Sequence, residues 1–341
     1  MRALVLDQIG HLEVQERPDP APGPGEVVIR VAATGICGSD VHGYTGENGR
    51  RVPGQIMGHE SAGTIAALGD GATAFAVGDA VTFNPVVVPV ADVDAFAGRE
   101  QMSPNKRVIG VDPTWESSFA ELVVVPERNV VALDSAMPVE FGALIEPLAV
   151  AVHAVRRSGA EAEQRVLVVG GGPIGQSVVL ALTMAGVSTI VVTEVDAERR
   201  ALVERLGATA IDAGSADAVA EAQRAAGGEF DVAIDAVGID PTLATALSAT
   251  SIGATVCLVG MGSPRISLDA FQISTHERTL VGSFTYGSTD FRDAAEWIGT
   301  QGDIAAALIS EQVPMAQGPE AFERLAHGTP TPGKIIVRLD R

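Results

Sequence analysis

Residues 165–175 read RVLVVGGGPIG, an uninterrupted apolar run that stops at Gly170, Gly172 and Gly175, spaced G-x-G-x-x-G, with Pro173 and Ile174 opening the next element. A strand that meets glycines and then a helix is the entry to a strand–helix–strand unit that binds a dinucleotide. The alternation continues downstream. PIGQSVVLALTMAG is predicted as helix, TIVVTEV as strand, DAERRALVERLG as helix, and FDVAIDAVG and TVCLVGM as strands. Strands that are apolar throughout belong to a parallel sheet covered on both faces, so this half is expected to be a doubly wound α/β domain. The glycines permit a tight turn and close backbone approach, and the amides at the helix start hold a pyrophosphate. Glu194 ends the next strand, about 20 residues past the last glycine, where a carboxylate accepts hydrogen bonds from the adenosine ribose and repels a 2′-phosphate. NAD is therefore expected over NADP. Arg199 comes shortly afterwards and is expected to stack on adenine or, as the lesser alternative, to meet a phosphate.

Upstream the pattern is different. To about residue 135 the chain offers short β-rich runs (EVVIRVAATGIC, SAGTIAALG, DAVTFNP, FAELVVVP) punctuated by Gly, Pro and Asp, which predicts a mainly-β domain. EPLAVAVHAV, from Glu146, is helical in pattern and marks the change of period. Near the other end DFRDAAEWI is expected as a helix, and GKIIVRL as a final strand that returns to the first domain. The boundaries expected are 1–148 for the β-rich domain, 149–287 for the dinucleotide domain and 288–341 for the return. At 341 residues, two cores fit the length.

The formal charge of -20, from 43 acidic against 23 basic side chains, disfavours nucleic acid and anionic membranes as partners. The beginning, MRALVLDQIGHLEV, acquires acidic residues before any apolar run of signal-peptide length, and no window supplies the ~20 apolar residues that span a bilayer. Cys37 and Cys257 are the only cysteines, too few for a disulfide framework. A cytoplasmic protein is expected.

GICGSDVHGY holds Cys37, Ser39, Asp40 and His42; MGHESAGTI holds His59 and Glu60; Glu146 opens the EPLAV segment. A thiolate, an imidazole and a carboxylate suit zinc and leave a fourth position for water or substrate. Taken singly, each has a plainer explanation: a small buried thiol, a hydrogen-bonded core histidine, a carboxylate at a helix start. His153 reads as a packed core histidine and Cys257 as a buried strand residue, while His11, His276 and His327 have no ligand neighbours in sequence.

Together and in this order, G-I-C-G-S-D-V-H, G-H-E, E-P-L and G-G-G-P-I-G resemble the zinc-dependent medium-chain dehydrogenases, over essentially the whole chain and nearest the sorbitol, butanediol and threonine dehydrogenase branch. The resemblance implies a GroES-like catalytic domain beside the Rossmann domain and a homodimer or homotetramer. The activity it implies is oxidation of a secondary alcohol, diol or polyol to the ketone, and the reverse, by hydride transfer with zinc and NAD. It implies that Cys37, His59 and a glutamate ligate the catalytic zinc, with Glu60 and Glu146 both candidates. Ser39 would take the alcohol proton and pass it through the cofactor ribose to His42, and Asp40 would orient the ligand histidine through its other ring nitrogen. Val259 and Met261 are expected at the nicotinamide face, Lys334 at the pyrophosphate, and Tyr44 and Tyr286 at the substrate pocket.

The chain departs from that family twice. Where many members carry four closely spaced cysteines for a structural zinc, this chain has Pro89, Asp92, Ala95 and Ser103, so one zinc per subunit is expected, although the loop keeps Gly98-Arg99-Glu100. Thr285 stands where polyol dehydrogenases tend to have an arginine, which argues against strict sorbitol specificity and leaves a smaller vicinal diol, a secondary alcohol or its ketone, a modified sugar alcohol or a threonine-type amino alcohol open. A non-catalytic dinucleotide-binding protein is the alternative from another class; the complete ligand set argues against it.

Overall fold

The computed structural model describes residues 1–47, 49–329 and 331–340. The chain divides into two units, Met1–Glu146 with Tyr286–Arg341, and Pro147–Thr285. Both crossings fall about two residues earlier than the sequence pattern places them, and Tyr286 thereby belongs with the first unit.

In that unit the strand Glu26–Gly35 is the organising element. It pairs antiparallel with Glu60–Leu68, with Leu122–Pro126 and with the last strand, Lys334–Arg338. The GKIIVRL segment thus does close the first sheet, and it carries the parallel strand Ile309–Pro314 on its other side. A smaller sheet of His11–Glu16, Arg2–Gln8 and Gln55–Ile56 lies in the same unit. The core between them is apolar and aromatic: Leu4, Leu6, Ile29, Ile56, Met57, Ile65, Phe83, Phe119 and Phe322 are essentially inaccessible to water. Removing one such side chain from water is worth about 1.5–3 kcal/mol.

The second unit is a six-stranded, all-parallel sheet in the order Thr209–Asp212, Thr189–Glu194, Arg165–Val169, Phe230–Asp235, Thr250–Leu258, Thr279–Gly282. The chain leaves the central strand Arg165–Val169 outward in both directions, which makes its carboxyl end the switch point where such sheets bind ligands. Val166, Leu167, Val168 and Val169 are all buried, as a strand covered on both faces requires. Cys257 is fully enclosed in its strand and burial pushes its thiol up to about 11, whereas His153 is only half-buried, not the enclosed histidine its apolar neighbours suggest.

Candidate metal centre and dinucleotide loop

Register brings the metal cluster together. Gly35, at the end of its strand, is opposite Glu60, at the start of the next, so Cys37 just beyond the first and His59 just before the second meet at one end of an antiparallel pair. The last strand pairs Ile336 with Gly35, and the same register carried two residues further puts Lys334 level with Cys37. Glu146 arrives in the first turn of the helix Ile145–Ser158, behind the 3-10 turn Val139–Leu144, whose Gly142 packs against Ala62 with no room for a Cβ.

One donor atom each from Cys37, His59 and Glu60 lies within 4.8 Å of the other two. Tetrahedral zinc, with bonds of about 2.0–2.3 Å, holds its ligands about 3.4–3.8 Å apart, so only a small contraction separates this set from coordination. Two of its atoms are buried and without a hydrogen-bond partner among the described residues: Glu60 Oε2 and His59 Nδ1. An orphaned carboxylate oxygen inside a protein is costly and calls for a cation. The other Glu60 oxygen, Oε1, accepts a hydrogen bond from the Lys334 ammonium at 2.5 Å, and that ammonium also reaches the Ile36 carbonyl at 3.3 Å. Both partners are buried, and although burial acts to lower the Lys334 pKa, Glu60 and Cys37 raise it. The resemblance expects Lys334 at the pyrophosphate; in the structure its ammonium is engaged by Glu60, within the candidate metal cluster.

Glu146 stands differently. Its Oε1 accepts a hydrogen bond from the Tyr286 hydroxyl at 2.8 Å, with both residues buried. Burial raises the Glu146 pKa to about 7, His59 opposing and Glu60 reinforcing the shift. Tyr286, fully enclosed with its ring 5.6 Å from Phe291, is therefore a partner of this glutamate rather than a group open to the pocket. Asp40 accepts from the Cys37 amide at 3.3 Å and faces both His59 Nδ1 at 3.6 Å and Arg51 Nη2 at 3.4 Å. Burial works against the His59 cation, yet Asp40, Cys37 and Glu146 outweigh it and push the pKa up to about 10, a measure of how anionic the surroundings are.

Ser39 and His42 sit on the short helix Gly38–Tyr44 that Cys37 caps, Ser39 exposed and His42 half-exposed with Nδ1 3.8 Å from Glu47. Tyr44, on the same helix, turns the other way: it is buried in the core, ring centroid 5.9 Å from Phe322 of the helix Gly318–Ala326. The resemblance expects Tyr44 at the substrate pocket; the structure packs its ring against Phe322. Thr285 has φ 51°, a backbone region that β-branched residues rarely enter, and its buried hydroxyl has no partner among the described residues. Arg51 escapes a reading of the sequence: nothing in the polar run around it marks an arginine that ends buried on Asp40.

In the second unit Gly170 has φ 96°, and a Cβ on Gly175 would collide with the Gly170 carbonyl. Gly172 caps the helix Pro173–Met184 without any side-chain cap, and a Cβ there would meet nothing nearer than Arg199 Nη1 at 3.8 Å. The first amides of a 12-residue helix thus begin at bare backbone, with Pro173 and half-buried Ile174 beside them. Glu194, at the end of the neighbouring strand, accepts from the Gly171 amide at 2.7 Å and from the Asp196 amide at 2.9 Å, so its carboxylate stands at this loop. Val259 is buried just past the strand Thr250–Leu258, and Met261 is exposed two residues on.

Residues 23–135 match the alcohol dehydrogenase GroES-like domain and residues 173–300 the zinc-binding dehydrogenase family. A sorbitol dehydrogenase of Arabidopsis thaliana is 36% identical, covering 94% of this chain and 91% of its own. The chain belongs to the zinc-dependent medium-chain alcohol and polyol dehydrogenases. The 2R,3R-butanediol dehydrogenase of Bacillus subtilis superposes with a TM-score of 0.88 at 29% identity, covering 99% of both chains. A protein of Sinorhizobium meliloti 1021 described as a zinc-binding dehydrogenase, solved with NADP, gives 0.89 at 29% identity over 99% of this chain and 98% of that one. As a medium-chain dehydrogenase the protein is an oxidoreductase that oxidises an alcohol or polyol with zinc and NAD. The sulfur, nitrogen and oxygen donors at Cys37, His59 and Glu60 suit the metal, and the bare glycine loop below Glu194 suits the dinucleotide.

Proposed function

We propose that this dehydrogenase oxidises a secondary hydroxyl of a small vicinal diol or short polyol to the ketone, with NAD preferred as acceptor. The carbon gives its hydride to NAD and the hydroxyl gives its proton to solvent, leaving ketone and NADH. What supports the metal assignment most is the buried Glu60 Oε2, without a partner among the described residues, on a carboxylate that shares a cluster with Cys37 and His59 while Lys334 occupies the other oxygen. Cys37, His59 and Glu60 are the ligands in this reading, and Glu146, tethered by Tyr286, is the outer glutamate. Bound zinc supplies the Lewis acidity that makes an alcohol acidic near neutral pH. Asp40 faces His59 Nδ1 at 3.6 Å, its charge favouring that ring orientation, and Arg51 pairs with Asp40 at 3.4 Å. Ser39 accepts the alcohol proton and His42, half open to water, releases it. Glu194 receives the ribose hydroxyls, Arg199 lies along the adenosine, and Val259 and Met261 border the nicotinamide. Substrate breadth stems from Thr285, too short to bind the far hydroxyls of a hexitol.

The strand Thr279–Gly282 ends its sheet with one side unpaired among the described residues, and Leu280 and Phe284 are exposed along it, which supports a homodimer or homotetramer built on this edge. Among the described residues no helix is long and apolar enough to cross a membrane. With that and two free cysteines, a cytoplasmic location fits best.

The experiment is a panel: zinc-loaded protein with NAD and, separately, 2R,3R-butanediol, xylitol, sorbitol, threonine and 2-propanol, followed by NADH absorbance. The four-carbon diol should give a kcat/KM at least about tenfold above sorbitol, the size of one lost polar anchor. Equal or faster turnover of sorbitol would contradict the role given to Thr285, and preference for threonine would move the protein to the amino-alcohol branch.

A further inference from the structure

The stretch from Pro89 to Ser103, which lacks the family's cysteines, holds the chain beside Tyr286. Glu100 Oε2 accepts the Ser288 amide at 2.8 Å, and Oε1 accepts the Ser288 hydroxyl at 2.8 Å and the Gly98 amide at 3.0 Å. Gly98 and Gly287 approach so closely that a Cβ on Gly287 would collide with the Gly98 carbonyl. Ser288 opens the helix Ser288–Gly299, whose N-cap, Gly287, has no side chain to offer. Asp290 Oδ2 accepts the Gly287 amide at 2.9 Å and Glu100 accepts the first helical amide; although burial opposes the Glu100 charge, the Ser288 hydrogen bonds hold its pKa below the usual carboxylate value. Two residues back along the chain, the Tyr286 hydroxyl holds Glu146. The stretch is itself fastened where thiols would stand: Asp92 Oδ2 accepts the Ser103 hydroxyl at 2.7 Å and the Asn105 amide at 3.1 Å.

We infer that Glu100 is a positioning residue for the Tyr286–Glu146 pair: a loop stapled by Asp92, Ser103 and Asn105 in place of a metal fixes the start of the Ser288 helix, and so sets where Tyr286 presents its hydroxyl to Glu146. This rests on the reading of Glu146 as the outer glutamate of the active site.

A double-mutant cycle tests it, with E100A, Y286F and the double variant as zinc-loaded protein on 2R,3R-butanediol and as cobalt(II)-loaded protein for visible absorption. Networked residues couple by between about twofold and 150-fold. E100A is expected to lower kcat/KM about tenfold when Tyr286 is present and less than about twofold when it is Phe, and to shift the cobalt bands in the direction Y286F does. An equal loss in both backgrounds, or bands that E100A leaves unmoved, overturns the inference and leaves the loop a structural element. If Y286F itself changes neither kinetics nor spectrum, the reading of Glu146 fails first. Should E100A not fold, S288A, which removes a single hydrogen bond, carries the same cycle with the same expectations.

Discussion

Lys334 puts an ammonium into a nearly waterless place, and its hydrogen bonds to Glu60 and the Ile36 carbonyl, with the negative charge of Cys37 and Glu146 nearby, make that tolerable. A buried pair of this kind contributes little net stability, but breaking it by removing one partner is expensive, about 3–5 kcal/mol, because the other charge is left uncompensated. The cluster offers a way to separate that cost from ordinary packing. In metal-free protein, K334M strands the Glu60 carboxylate; with zinc present, the metal takes over the compensation. K334M should therefore lower the Tm by ten degrees or so after chelation, on the order of 2–4 °C per kcal/mol at this size, and by clearly less with zinc. Thermal unfolding in both states checks this, and equal losses would mean that Glu60 is not the metal's oxygen donor. Lys334 is also where sequence and structure part most instructively. A lysine in PTPGKIIV carries no sign of its partner, because Lys334 and Glu60, 274 residues apart, are brought together by the registers of their two strands on the shared strand Glu26–Gly35. Tyr286 is similar: its ring and hydroxyl are visible in the sequence, but not that both are enclosed against Phe291 and Glu146.

Glycines of the dinucleotide loop differ in what surrounds them, and this separates binding from folding at the level of the strand–loop–helix element. Gly175 is fixed by the close approach of the Gly170 carbonyl, so G175A should destabilise the unit as an overpacked core does, by about 1–3 kcal/mol. Gly172 has ordinary negative φ and free space at its Cβ position. G172A should leave the Tm unchanged while weakening NAD about tenfold, because the added methyl stands where the pyrophosphate must approach the helix amides. Calorimetric titration with NAD beside a melting curve decides it, and undiminished affinity in G172A would move the cofactor elsewhere. Elements of this kind are legible from sequence because their signal is local: the apolar run Arg165–Val169, the glycine spacing and the carboxylate of Glu194 lie within one βαβ unit. The short helices Gly302–Leu308 and Gly318–Ala326 and the strand Ile309–Pro314 between them carry no comparable motif, since each is brief and owes its form to the helices and strands it packs against.

For the whole molecule the pattern of donors matters more than any one contact. The ligand types and their order point to the family and the chemistry; which glutamate serves, and what holds it, needs the antiparallel register of Gly35 with Glu60 and the hydrogen bond from Tyr286. The loop with Asp92 and Ser103 in place of thiols keeps its fold through side-chain hydrogen bonds, so a single metal should suffice for the chain. X-ray absorption at the zinc edge, on protein whose zinc content has been counted, tests that account most directly. It predicts one zinc per chain with a single sulfur neighbour at about 2.3 Å and nitrogen and oxygen neighbours at about 2.0–2.2 Å, and loss of the metal in E60A but not in E146A. A shell without sulfur, a count near two, or zinc retained in E60A and lost in E146A would contradict it.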